Sequence, residues 1–312
     1  MKRRYFWPVA VAVVVLLSAA AAAAAMILSD DDQITAPVIV NGKDGVVLEN
    51  LRLSSTTGGC VLIQGSRNVT IRNSEIGPCA GNAVEVKESS NVRIVDSYIH
   101  PEFPVHGCCD KGNAVFVHRS SNILIQGNVI AYGESNVELL GVQQAQVVGN
   151  FLLNPLGPFP RGQQVQVWGL GDVRSSDILI EDNYTLASKD PSHKFPDGQL
   201  DAINLGLTDR AIVKDNHIVG GTSDSGCGLI ADSSANDMQF LNNHVIMHTR
   251  QAYEDYPEPG RRRHLLRIWI IARGCRPLPR AYFARHGDPD KVDWPGGIVG
   301  PDSVLNAPIE RE

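Results

Sequence analysis

The chain has 312 residues, a formal charge of −6 and 20% charged side chains, enough for one large domain or two small ones. Mild acidity excludes the basic stripe on which nucleic-acid binding depends, and leaves sugars, proteins and metals open as partners.

The first element is a leader. Lys2, Arg3 and Arg4 precede the apolar run Phe6 to Leu28, small residues fill Ala19–Ala25, and "SDDDQ" follows abruptly. Positive charge, an apolar stretch and an A-x-A site describe an export signal. The run is also long enough to span a bilayer, so residues 1–28 are a signal peptide or an uncleaved anchor, the only membrane contact expected. Either way the remainder is exported, to the periplasm, the medium or the outward face of a membrane. Six cysteines in such a protein can pair, and no C-x-x-C or ligand-spaced Cys/His cluster indicates a metal site.

From residue 45 a nine-letter phrase recurs: "GVVLENLRL" (45–53), "NVTIRNSEI" (68–76), "NVRIVDSYI" (91–99), "NILIQGNVI" (122–130), "QAQVVGNFL" (144–152), "DILIEDNYT" (177–185), "RAIVKDNHI" (210–218) and "DMQFLNNHV" (237–245). A unit of about 22 residues with insertions marks a solenoid. Apolar residues alternate within each phrase, as in Val69/Ile71 and Ile178/Ile180, so each is a strand with one buried face. The seventh position carries Asn128, Asn150, Asn183, Asn216 and Asn243 in five consecutive units. Coils stacked about 4.8 Å apart let such amides bond up and down as a structural ladder.

A second strand follows each phrase: "CVLIQ" (60–64), "AVEVK" (83–87), "AVFVH" (114–118), "NVELL" (136–140), "QVQVW" (164–168) and "AINLG" (202–206). The pattern resembles the right-handed parallel β-helix repeat proteins, the superfamily that includes pectate lyases, polygalacturonases and alginate epimerases. "NPLGPFPRGQQVQV" and "DGQLDAINL…GGTSDSGCGLIADSS" are similar to a branch of exported β-helix proteins of unassigned role. The resemblance covers residues 37–248 and implies an all-β solenoid of about eight rungs. It transfers no catalytic residue: the Asp-Asp pair with Gly-His-Gly, the Asp-Pro-His and the Trp-Ile-Asp-His of those enzymes are missing. Calcium, common among acidic exported β-helices, would need several converging oxygens. The scattered Asp residues assign it nowhere, and no cofactor is called for.

In this register the outward residues of the second strands form two columns. One reads Leu62, Glu85, Phe116, Glu138, Gln166, Asn204; the other Gln64, Lys87, His118, Leu140, Trp168, Gly206. Trp168 and Phe116 offer flat faces to sugar rings, and Gln166 and Asn204 can donate to and accept from hydroxyls. Glu85 and Glu138, two rungs apart, have backbones roughly 9–10 Å apart, within reach of the ~6.5–9.5 Å carboxyl separation of an inverting glycosidase. His118 between them is a proton shuttle. Lys87 can neutralise a uronate in a β-elimination. Asp201, at the mouth of the sixth second strand, is a third carboxylate or a turn cap.

The expected partner is therefore a polysaccharide or cell-envelope glycan, either bound or cleaved by lyase or hydrolase chemistry. The alternative is a non-catalytic structural or surface protein of the envelope; cross-strand charge pairs would account for Glu85, Lys87 and Glu138 equally. Oligomeric state is left open.

Three insertions, at 100–112, 154–162 and 187–199, should wall one flank of this strip, bringing His106, Asp110, Arg161, His193, Lys194 and Asp197 over it. Cys79 and the pair Cys108–Cys109 precede the second strands of neighbouring rungs, so a bridge from Cys79 to one of the pair is expected, with Cys60 a candidate for the other. After residue 248 alternation stops and nine arginines fall between Arg250 and Arg285. Residues 249–312 read as an irregular segment, whether a cap over the solenoid end, a shifted reading frame or a binder of anionic polymer.

Overall fold

The computed structural model describes residues 25–27, 33–34, 37–101, 112–157, 161–187, 201–220, 227–231, 235–247, 251–255 and 263–272 of the 312. Among the described residues there is no helix, none therefore long and apolar enough to cross a membrane, and every pairing between strands is parallel.

Each coil has three strands. One coil runs Val61–Gln64, Arg67–Arg72 and Glu75–Cys79; the next runs Val84–Lys87, Ser90–Val95 and Tyr98–Ile99. Stacking gives three faces: a second-strand sheet of nine strands, from Val38–Asn41 to Gln251–Asp255, a long-strand sheet and a short-strand sheet. The last two are joined by the unbroken strand Asn236–Met247, which pairs with Thr208–Lys214 and then with His217–Gly220.

Outside that unbroken strand the nine-letter phrase is thus two strands, not one, and the corner falls at its ladder position. The residue before the seventh position has positive φ in all eight phrases: Asn50 (56°), Asn73 (46°), Asp96 (48°), Asp182 (53°), Asp215 (55°) and Asn242 (52°), with Gly127 and Gly149 in the other two. Left-handed backbone is tolerated best by Gly, Asn and Asp, which explains that column. The chain turns there, and the next side chain points inward.

That inward side chain is the ladder amide. Asn128, Asn150, Asn183, Asn216 and Asn243 are all within 1% of full burial. Each of the first four donates from Nδ2 to the next Oδ1, at 3.0, 2.9, 2.9 and 2.9 Å, and that Oδ1 also accepts the backbone N–H of the amide's own residue. Remaining protons go to main-chain carbonyls such as Ile94 and Val147. Ser97 and Ser74 continue the ladder with hydroxyls. A second ladder, unread in the sequence, occupies the corner after the second strands: Ser66 N–H donates to Ser89 Oγ and Ser89 N–H to Ser120 Oγ, both at 3.1 Å.

Inside, aliphatic side chains from the three sheets close the core, among them Ile71, Ile94, Ile125, Val86, Val117 and Leu139. Their burial follows from the period-two pattern and is the main driving force for coiling.

One expected linkage is corrected. Cys79 bonds Cys60 (Cα–Cα 5.8 Å, 19 residues apart), not Cys108 or Cys109, which lie outside the described residues. Cys79 ends a short strand and Cys60 opens a second strand, both facing the interior of one corner, so the bridge joins two sheets instead of two loops. Past residue 248, in the segment read as irregular, Gln251–Asp255 runs parallel to Cys227–Ala231 and Arg263–Ala272 parallel to Asn236–Met247. Ladder hydrogen bonds are made by the main chain and do not require alternation. Ala25–Ile27, inside the segment read as a leader, likewise runs parallel to Val47–Glu49.

Candidate functional site

The second-strand sheet holds its outward residues in the expected columns. Leu62, Glu85, Phe116, Glu138, Gln166 and Asn204 are successive Cα partners, and so are Gln64, Lys87, His118, Leu140 and Trp168. Trp168 then folds over Gly206: a β-carbon there would lie 2.1 Å from the indole Cζ3. Only glycine admits that approach.

Register brings the residues together, but the strip has two unlike ends. At the open end Glu85 Oε1 lies 3.3 Å from His118 Nε2, and Glu85 Oε2 accepts a bond from Asn82 Nδ2 at 3.2 Å. The His118 ring stacks on Phe116, centroids 4.8 Å apart and planes at 20°; Phe116, expected as an open platform, is only 8% exposed and instead backs the imidazole. The Glu85 and His118 side chains keep 30% and 20% of their surface exposed. The His118 hydrogen bond holds the Glu85 carboxyl below its usual range against the opposing effect of burial, helped by Asn82 and by the charges of His118 and Lys87. Glu85 is therefore a carboxylate at neutral pH, suited to accept or orient a proton and not to supply one.

The other end is enclosed. Glu138, expected as a solvent-facing partner of Glu85, is fully buried: Arg161 Nη2 sits 3.1 Å from its Oε1, and Asn113 Nδ2 donates to its Oε2 at 2.6 Å. Arg161 comes from the second insertion, and a carboxylate sealed beneath its guanidinium is neutralised in place. Asp201 is 1% exposed and accepts from Asn204 Nδ2 at 3.0 Å. That is the Asn82–Glu85 arrangement with amide and acid exchanged, three residues apart in both. Asp201 thus stands at the turn position it shares with Asn82. Gln166 and Asn204 are 7% and 5% exposed, and Gln166 Oε1 and Asn204 Oδ1 have no hydrogen-bond partner among the described residues.

Two site residues went unread, Asn82 and Asn113. Asn82 Oδ1 accepts the N–H groups of Gly112 and Asn113, and Asn113 Oδ1 accepts that of Ser135. "GNAV" stands at both 81–84 and 112–115, a repeated tetrad that marks them. Of the loop residues expected over the strip, Arg161 reaches it; His106, Asp110, His193, Lys194 and Asp197 lie outside the described residues. Among the described residues no three His, Cys, Asp or Glu side chains converge as metal ligands would.

Three parallel sheets wound around a ladder-lined core, with a polar and aromatic outer face, define a parallel β-helix. Residues 37–253 match the family described as Right handed beta helix region, and the chain belongs to it. No curated protein matches the chain. Among solved structures it is similar to PfbA, a surface adhesin of Streptococcus pneumoniae (13% identity, TM-score 0.50, covering 75% of this chain and 62% of that one). It is also similar to DFA-IIIase from Arthrobacter chlorophenolicus A6 in complex with GF2 (15%, 0.51, 76% and 56%). The chain spans less than two thirds of either, and the likeness is one of fold.

Proposed function

We propose that this is an exported solenoid that binds a polysaccharide along its second-strand face, at the open end formed by Glu85, Lys87 and His118, with Trp168 two rungs further along. The observation that carries the reading is the Glu85–His118 contact at 3.3 Å, beside the Phe116 ring and an amine one rung away. Trp168 supplies the apolar platform for a sugar face, and the polar groups meet hydroxyls. Lys87 suits the carboxylate of a uronate. The leader and the likeness to a surface adhesin support an extracellular setting.

Any turnover runs through Glu85 and His118 rather than through a pair of carboxylates. With Glu138 and Asp201 enclosed, no second acid among the described residues faces the ligand of Glu85. In an elimination His118, oriented by Glu85, takes the proton α to a uronate carboxylate that Lys87 neutralises, and the glycosidic C–O bond breaks with its electrons leaving on oxygen. The enclosure of Glu138 and Asp201 favours a second reading, binding without turnover by an envelope surface protein.

One set of measurements separates them. Hexagalacturonate is titrated against wild type, Trp168→Ala and Glu85→Gln, while reducing ends and unsaturated uronate are followed. Trp168→Ala should weaken binding about ten-fold, and Glu85→Gln should abolish any turnover. Because Glu85 titrates below its ordinary 4.5, binding that uses the carboxylate should persist through mildly acidic buffer. It should be lost only as pH falls through the lowered value. Binding untouched by both substitutions would sink the reading.

A further inference from the structure

The short-strand face carries a second feature, on a different side of the prism from the strip. Its outward column reads Tyr98, Val129, Phe151, Tyr184, His217, His244, each the Cα partner of the next. Six large hydrophobic side chains are exposed among the described residues, and four of them stand in this one column: Tyr98 (36%), Val129 (37%), Phe151 (53%) and Tyr184 (39%). Scattered exposed apolar residues need no explanation, but contiguous ones mark an interaction site. The rings are mutually ordered, Phe151 and Tyr184 with centroids 5.9 Å apart, and His217 and His244 edge-to-face at 5.6 Å.

The rim and ends of the column say what fits it. The positive-φ corner runs alongside, placing Asp96, Asp182, Asp215 and Asn242 on its rim, and glycines 127 and 149 leave the rim low beside Val129 and Phe151. A cleft of about 460 Å³ at one end is lined by Asp182, Asp215, His217, Asn242 and His244. A cleft of about 380 Å³ at the other includes Asn73, Asp96 and Tyr98 with Glu75, whose carboxylate is paired to Arg52 at 3.1 Å. Both fall within the ~300–1,000 Å³ of small-molecule sites. The first is rimmed by hydrogen-bond acceptors and holds no Lys or Arg. His244 is pushed down by burial and by His217, which keeps it neutral at pH 7.

We propose that this face is a separate binding track for an extended, neutral glycan, its sugar faces lying on Phe151 and Tyr184 and its hydroxyls donating to Asp182 and Asp215. Successive rings repeat about every 4.8 Å along the axis, so the track addresses a linear chain. The carboxylates repel a polyanion. A stripe one side chain wide falls short of the ~800 Å² per partner of a stable protein interface, which argues against a second copy of this chain as the occupant.

The test is titration of the full chain with a panel of neutral hexaoses (cello-, manno-, xylo-, malto- and chito-oligosaccharides) and with hexagalacturonate. A neutral hexaose should bind, and the double variant Phe151→Ala/Tyr184→Ala should weaken it at least ten-fold. Trp168→Ala should leave that affinity unchanged, which separates this track from the strip: losing the strip would not touch it. Both rings are exposed, so unchanged circular dichroism is expected of the variant, and the single substitution Tyr184→Ser serves if it is not. The proposal is overturned if no neutral hexaose binds, if binding survives loss of both rings, or if loss of both rings weakens hexagalacturonate binding instead. It is also overturned if sedimentation shows self-association abolished by Phe151→Ala, since a second copy would then be the occupant.

Discussion

Thr185 interrupts an aliphatic column. Its stacked neighbours are Ile76, Ile99, Ile130 and Leu152 on one side and Ile218 and Val245 on the other. It is 1% exposed and its Oγ1 has no hydrogen-bond partner among the described residues. A buried hydroxyl left unbonded costs about 1–3 kcal/mol, and valine has the same shape without that cost. Thr185→Val should therefore raise stability by about 1 kcal/mol, seen as a higher urea midpoint at unchanged slope. A lower midpoint would mean that the hydroxyl is bonded after all. At this scale the ladder amides were legible because one residue type recurs at one spacing. The corner beside them was equally visible as Asn73, Asp96, Gly127, Gly149, Asp182, Asp215 and Asn242, but its meaning lies in backbone torsion rather than in side-chain type.

Strands and their register were readable at the next scale, since alternation fixes which side chains share a face and insertions only lengthen the turns. What escaped depends on three bodies at once. Glu138 alternates outward as expected, yet its environment is set by Arg161 from an insertion and Asn113 from the preceding coil. The disulfide escaped for a related reason. Comparing rungs along one flank pairs Cys79 with the next coil's loop, whereas the chain bends so that Cys79 and Cys60 meet across an interior corner. Closing a loop of this length stabilises by about 3 kcal/mol through the entropy of the unfolded chain. The double variant Cys60→Ala/Cys79→Ala should lose about that much, read by denaturant titration. Reduction of the wild type should reproduce the loss, and a variant as stable as wild type would contradict the pairing.

Across the whole molecule each coil hydrogen-bonds only to the coils above and below it, so stability is a sum of coil–coil interfaces rather than the property of one compact core. Asn183 sits at such an interface: its amide donates to Val147 O, Glu181 O and Asn216 Oδ1, and its Oδ1 accepts the N–H and the Nδ2 proton of Asn150. Asn183→Ala strands several buried partners, at a cost of about 3–5 kcal/mol. In a globular core that loss would lower protection everywhere. In a solenoid it should uncouple the coils on the C-terminal side, so that amides in Ile203–Leu205, Thr208–Lys214 and His217–Gly220 exchange faster. Those of Val84–Lys87 and Ser90–Val95, several interfaces away, should keep their protection. Hydrogen exchange read by mass spectrometry distinguishes the two. Uniform loss would mean that the coils fold as a single unit and that the ladder transmits stability along the full axis.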